Sequence, residues 1–210
     1  RRNPDWWGRD LPINRGRFNF DEVRFDYYRD ATALFEAFKS GQISLRPEED
    51  PARWAEGRAL PAVAEGRVKI AEFDVGVPAG MAAFAFNTRR WPFNDARVRQ
   101  ALIQMFDFEW INSNLYHGGF TRTQSYFERS ALASTGRPAD ARERALLAPF
   151  AGLIKPDVLE GTWRLPVSDD SGHNRENLSL GIALLKEAGF SLQKGRMQAA
   201  DGPPLSFEIL

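Results

Sequence analysis

Within residues 78–107 a chain break, a strand-sized apolar run, a turn and an amphipathic helix follow one another directly, and this succession constrains the fold most. Pro78-Ala79-Gly80 interrupts regular structure. Residues 81–86 are continuously apolar and short enough for a buried strand. Trp91-Pro92-Phe93-Asn94 has turn chemistry, and Asn94 or Asp95 is placed to cap a helix. Val98, Ala101, Leu102, Met105 and Phe106 then recur at i, i+3, i+4, i+7 and i+8, the spacing of a single helix face. A strand and a helix joined this closely need a common core, so the region predicts mixed α and β layers.

The rest of the chain repeats the pattern. Residues 18–28 alternate roughly and are rich in aromatic and β-branched types, which predicts a strand. Asp30 is placed to cap a helix with Ala31, Leu34, Phe35 and Phe38 on one face and Gly41 as its stop. Residues 43–45 and 68–73 read as short strands. Between them, Pro51, Gly57, Pro61 and Gly66 break a charged stretch into short helices and turns. Further helices are expected over 140–150 and 176–188, the latter with Leu178, Ile182 and Leu185 inward and Gly189 as its stop. Residues 192–210 read as a hairpin turning at Asp201-Gly202. Strands and helices alternate, which argues an α/β or mixed fold with an internal boundary near Pro78.

Several function classes are disfavoured. Apolar residues make up 43% and charged residues 27%, as in a globular protein. No run approaches the roughly 18 apolar residues of a membrane span. Lys plus Arg equal Asp plus Glu at 28 each, so no global basic field points to nucleic acid. Without cysteine there is no disulfide, thiol nucleophile or Cys metal site. His117 and His173 are far apart in sequence and lack a metal-ligand pattern, so neither a metal nor a cofactor is expected. The Ser-Asp-Asp-Ser-Gly run over 168–172 lacks calcium-loop spacing and reads as a turn. A hydrolase working through carboxylate pairs is the alternative from another class. Against it, no Gly-x-Ser-x-Gly elbow occurs, and the adjacent pairs Glu48-Glu49 and Asp169-Asp170 would point apart on an extended chain. The chain opens at Arg1 without Met or a signal peptide and stops inside an apolar alternation, so it is expected to be an internal piece of a longer protein.

Four ordered segments carry a family resemblance. Phe84-Ala85-Phe86-Asn87, Arg90-Trp91-Pro92-Phe93-Asn94-Asp95, Arg97-Val98-Arg99-Gln100-Ala101-Leu102 and Phe106-Asp107 together form the longest. Asn3-Pro4-Asp5-Trp6-Trp7-Gly8, Ala37-Phe38-Lys39-Ser40-Gly41-Gln42-Ile43 and Leu184-Leu185-Lys186-Glu187-Ala188-Gly189-Phe190 are the others, with Ser44 where the family usually has Asp. The chain resembles the extracellular solute-binding proteins of family 5, the dipeptide, oligopeptide and nickel group. Residues 14–21 and 116–127 look closest to the branch linked to peptides and the peptide–nucleotide antibiotic microcin C. The resemblance implies an α/β fold of the periplasmic binding protein-like type II, bilobal and cluster C-like, of which only a central part is present. Residues 1–78 would then end the first segment of lobe 1, and residues 79–210 would begin lobe 2. It further implies a periplasmic protein (or an extracellular, membrane-anchored one in a Gram-positive host) that is not an enzyme. Its partners would be a peptide or peptide-like ligand and an ABC permease in the inner membrane. A sensor or chaperone-like module on the same fold remains open.

The resemblance also places candidate ligand residues. Met81, Ala82, Ala83 and Phe84 lie on the strand that would cross between lobes and line the cleft, where a peptide binds by main-chain hydrogen bonds; a plain core strand is the other reading. Glu48 and Glu49 offer carboxylates to a ligand amine, and Trp54 offers a stacking face, against a charged surface loop. Tyr116, Arg122 and Tyr126 belong to an aromatic and polar loop that suits a pocket wall or simple packing. Asn87, Pro92 and Asp95 are assigned to the turn and cap, and Arg97 and Arg99 to pairing with nearby carboxylates. The many aromatics, with Trp6-Trp7 foremost, are expected to leave exposed apolar surface through which the piece self-associates.

Overall fold

The computed structural model describes residues 3–74, 76–200 and 202–209. The chain divides into two compact units, Arg1–Glu49 and Asp50–Leu210.

In the first unit, Trp6 meets Phe18 edge to face at 5.2 Å, and a 3-10 helix spans Pro12–Asn14. Helix α1, Ala31–Lys39, starts where expected: the Asp30 carboxylate accepts from the Ala33 N–H at 2.8 Å. Phe35 and Ala37 are its buried positions. It stops at Gly41, whose φ of +77° suits a residue without Cβ and whose N–H donates to the Phe38 carbonyl at 2.9 Å. The strands expected over 18–28 and 43–45 do not form. A strand persists when its backbone groups find a ladder partner and one of its faces is covered. Among the described residues these segments have no ladder partner, and Phe20, Phe25, Tyr27 and Leu45 are exposed.

The second unit opens with the expected short helices α2, Pro51–Arg58, and α3, Pro61–Ala64. Helix α4, Ala96–Met105, carries the apolar face expected from its spacing, with Val98 and Ala101 buried. It is followed by α5, Phe108–Leu115, then α6, Ala141–Leu147, which runs into a 3-10 helix over Ala148–Leu153. Helices α7, Pro156–Leu159, and α8, Arg175–Glu187, precede a hairpin of β1, Phe190–Gln193, and β2, Arg196–Ala199.

The core lies between α4, α8 and the hairpin. Val98, Ala101, Leu185 and Phe190 are buried together, with Leu102, Met105 and Met197 packed around them. The helices run antiparallel: Arg97 at the start of α4 donates to the Glu187 carbonyl at the end of α8 at 2.5 Å. They approach closely at Gly181, where an added Cβ would stand 3.0 Å from the Ala101 carbonyl oxygen and 2.8 Å from Met105 Cε. Met105 ends α4 at this point, so Leu178, one turn nearer the start of α8, has no α4 residue opposite it. It is exposed rather than inward as expected.

Other expectations change in the same unit. The hairpin turns at Lys194 and Gly195, with φ of +50° and +79°, and pairs Phe190 with Ala199 and Gln193 with Arg196. Two central residues at positive φ make the type I′ turn that matches strand twist. The ladder turn thus lies earlier than expected, while the chain reverses again after β2, where the Gly202 N–H donates to the Ala199 carbonyl at 3.3 Å and the Leu205 N–H to the Met197 carbonyl at 2.7 Å. Gly202 follows β2, and Asp201 lies outside the described residues. Beyond β2 there is a single bridge, Gln198 with Pro204, instead of a strand over 205–210. Residues 68–73 and 81–86 also lack ladder bonds, so the β component among the described residues is one two-stranded sheet.

Candidate functional site

Among the described residues the apolar segment 81–86 of the second unit has no backbone partner. Its entry is fixed by the Ala79 N–H, which donates to the Glu128 carbonyl at 3.0 Å. Its exit is fixed at Asn87, whose side-chain oxygen accepts from the Arg89 N–H at 3.2 Å and whose carbonyl accepts from Arg90 at 3.0 Å. Between these points no backbone hydrogen bond of residues 80–86 occurs among the described residues. Free N–H and C=O groups in a row are the chemistry that recognises another backbone irrespective of its side chains. Side chains hold the segment instead. Phe84 meets Phe106 edge-on at 6.4 Å, and Phe86 meets Phe93, which meets Phe207. Met81, Ala82, Ala83 and Phe84 are all exposed.

The turn behind the segment has the expected structural parts. Pro92 is fully buried after a cis Trp91–Pro92 bond. Asp95 caps α4 through the Arg97 N–H at 2.8 Å and pairs with the Arg97 guanidinium at 2.6 Å. That guanidinium holds the Asp95 carboxyl below its ordinary pKa. Arg99 differs from expectation: it donates to the Phe93 carbonyl at 2.6 Å and makes no ion pair among the described residues, although its charge also lowers the Asp95 pKa.

Arg122 is brought to the same place as Phe84. Its guanidinium lies 5.5 Å from the Phe106 ring and 5.8 Å from the Phe108 ring, and Nη1 donates to the Pro166 carbonyl. Burial lowers the pKa of Arg122, with the nearby Glu109 carboxylate opposing this. Phe106 therefore has Phe84 and Arg122 both against it. Asn112 of α5 fastens the intervening loop. Its amide nitrogen donates to the Phe120 carbonyl at 2.8 Å, and its oxygen accepts from the Phe120 N–H at 3.0 Å. Tyr116 packs edge-on against Phe120 at 4.9 Å, whereas Tyr126 is 83% exposed and stands apart. A second loop, over residues 166–173, is fastened to α5: the Ser168 N–H donates to Glu109 at 2.9 Å and the Ser113 hydroxyl to Asp170 at 2.8 Å.

The remaining candidates do not gather here. Glu48 and Glu49 belong to the first unit and Trp54 to the second. Glu48 pairs with Arg46, both side chains being nearly buried, and the Arg46 guanidinium stacks 4.8 Å from the Phe35 ring. Its carboxylate is thus engaged within the unit. Glu49 is exposed, and Trp54 is half-buried with Arg58 at 6.0 Å from its ring. Helix α5, which supplies Phe108, Glu109 and Asn112, was missed at the sequence level. Its signal was present: Asp107 caps through the Trp110 N–H at 3.0 Å, and Phe108, Ile111 and Leu115 follow at helical spacing. Among the described residues no cluster of three or more His, Cys, Asp or Glu side chains is grouped to hold a metal, and no helix is long and apolar enough to cross a membrane.

Comparison with known proteins gives a family for the chain. The model of the bacterial extracellular solute-binding proteins, family 5 Middle, matches residues 1–210. A protein of Brucella melitensis described only as a binding protein is 51% identical over the whole chain, which covers 34% of that protein. The peptidoglycan-binding protein YepA of Agrobacterium fabrum is 42% identical, with 100% of this chain and 35% of YepA aligned. A second protein of Agrobacterium fabrum, named "Probable peptide-binding protein YejA", is 40% identical, with 100% of this chain and 34% of its own length aligned. The chain thus spans about a third of the length of the curated relatives it matches.

Proposed function

Because the chain belongs to the family 5 bacterial extracellular solute-binding proteins, we propose that it is the central part of a receptor that captures peptides or peptide-like solutes and hands them to an ABC permease. The receptor acts in the periplasm, or outside a Gram-positive cell on an anchor, and binds without chemical conversion. Its fold is of the periplasmic binding protein-like type II. We assign residues 1–78 to lobe 1 and residues 79–210 to lobe 2, with residues 80–86 as the crossing that lines the interlobe cleft. Met81, Ala82, Ala83 and Phe84 supply backbone and wall there, Arg122 and Tyr116 supply the adjoining side, and Glu48, Glu49, Trp54 and Tyr126 are peripheral candidates.

One observation carries this reading. A continuous apolar segment, which we assign to the cleft, leaves its backbone donors and acceptors unused among the described residues. An extended ligand offers the complementary groups, and closure of the lobes would then bury both. The names of the relatives support a peptide or peptidoglycan-derived ligand.

The test is a thermal-shift screen of the full-length protein against dipeptides, tripeptides, longer peptides, peptidoglycan-derived peptides, nickel and sugars. A peptide at 100 times its Kd is expected to add about 2.7 kcal/mol of stability. Stabilisation by sugars alone sinks the peptide reading.

A further inference from the structure

We propose that Arg122 is the anchor for a carboxylate of the bound peptide, with Phe84 forming the wall beside it. This rests on the peptide reading above and adds the ligand group that the site selects.

The argument starts from how Arg122 is held. Two rings, Phe106 and Phe108, lie against its guanidinium, and the Pro166 carbonyl takes Nη1. A guanidinium has five donors in a planar fork. Among the described residues the only hydrogen bond from this fork goes to a neutral carbonyl, and no ion pair is made. The nearest carboxylate that acts on it is Glu109, and one Glu109 oxygen already accepts from the Ser168 N–H at 2.9 Å. Among the described residues Arg122 is therefore a half-buried cation without a bonded anion, held by two rings and a carbonyl before any ligand arrives. Such a group has lost part of its hydration and regains the difference when a carboxylate docks on the fork. A pre-set guanidinium also costs the ligand little ordering entropy.

The position suits the same ligand. Phe106 carries Arg122 and also touches Phe84 of the unladdered segment. A peptide aligned on residues 80–86 by main-chain bonds would thus pass one ring away from the fork. Main-chain pairing alone is indifferent to where a peptide ends. A fixed cation at one point along the groove supplies a register, because it rewards the alignment that brings a carboxylate to it. The carboxylate comes either from the peptide's C-terminus or from an acidic side chain.

Calorimetry on the full-length protein separates these cases. The probes are Ala-Phe-Ala as free acid, Ala-Phe-Ala amide, and Ala-Glu-Ala amide. Wild type is expected to bind the acid at least about tenfold tighter than the Phe amide, as loss of a charged hydrogen-bond partner implies. Recovery of affinity by the Glu amide assigns the carboxylate to a side chain, and no recovery assigns it to the C-terminus. In Arg122→Gln the acid-to-amide ratio is expected to fall to near one, whatever the change in affinity for the Phe amide. Arg122→Lys is expected to keep part of the ratio. Because the ratio is taken within one variant, loss of the Pro166 contact does not produce it. Equal binding of all three probes by wild type overturns the anchor and leaves peptide binding intact. Failure of all three to bind overturns both.

Discussion

Asp95 concentrates several physical roles in one side chain. It caps α4, pairs with Arg97 and feels the charge of Arg99, and the Arg97 hydrogen bond is the main reason its pKa is lowered. A carboxyl whose folded pKa is lowered stabilises the fold above its unfolded pKa, about 4, and loses that contribution as pH falls through the lower folded value. Asp95→Asn keeps a capping oxygen but no charge. The stability difference between wild type and Asp95→Asn is therefore expected at pH 7 and should close by about pH 2, as read by melting at both values. Asp95→Ala removes the cap as well and is expected to cost about 1 kcal/mol at neutral pH. This role was legible in sequence, as were Asp30 and Gly41, because caps and stops depend on a few neighbouring residues. The exposure of Leu178 was not, since it depends on where α4 ends beside α8.

The elements divide along the same line. Helices α1, α4 and α8 could be read because their hydrogen bonds are internal and their apolar faces repeat. Segments 18–28 and 81–86 have strand-like composition, but a strand is completed by a partner elsewhere, and composition cannot name that partner. Lys194-Gly195 lacked the usual Asn-Gly signal, and so the hairpin was placed too late. The α4–α8 contact offers a direct test. Gly181→Ala sets the helix-propensity gain against a carbonyl that cannot move aside, whereas Gly181→Val forces the helices apart. Denaturant melts are expected to show Gly181→Val destabilised by about 2 kcal/mol, within the range for overpacked cores. An unchanged midpoint would mean that α4 and α8 do not pack at this distance.

At the scale of the molecule, the deeply buried hydrophobic residues among the described ones are few: Phe35, Ala37, Val98, Ala101, Leu185 and Phe190. Large apolar side chains such as Trp7, Phe20, Phe73 and Leu153 are exposed in comparison. Apolar surface on this scale drives association. Residues 1–210 produced alone are therefore expected to self-associate with rising concentration in light scattering, and the full-length protein to do so less. A strict monomer at high concentration would count against this. The candidate site was half legible: Phe84 was chosen from the family resemblance and Arg122 from the composition of its loop, while their meeting through Phe106 depends on tertiary packing that neither signal carries.

The free backbone of residues 80–86 also makes the chain vulnerable to cleavage. Proteases take substrates as extended strands, and an exposed segment with no ladder to break enters such an active site at little cost. Phe84 is 67% exposed and is a ready chymotrypsin residue. Early nicking after Phe84 is expected when the segment is uncovered, and a peptide seated on it should slow that cut in proportion to its occupancy.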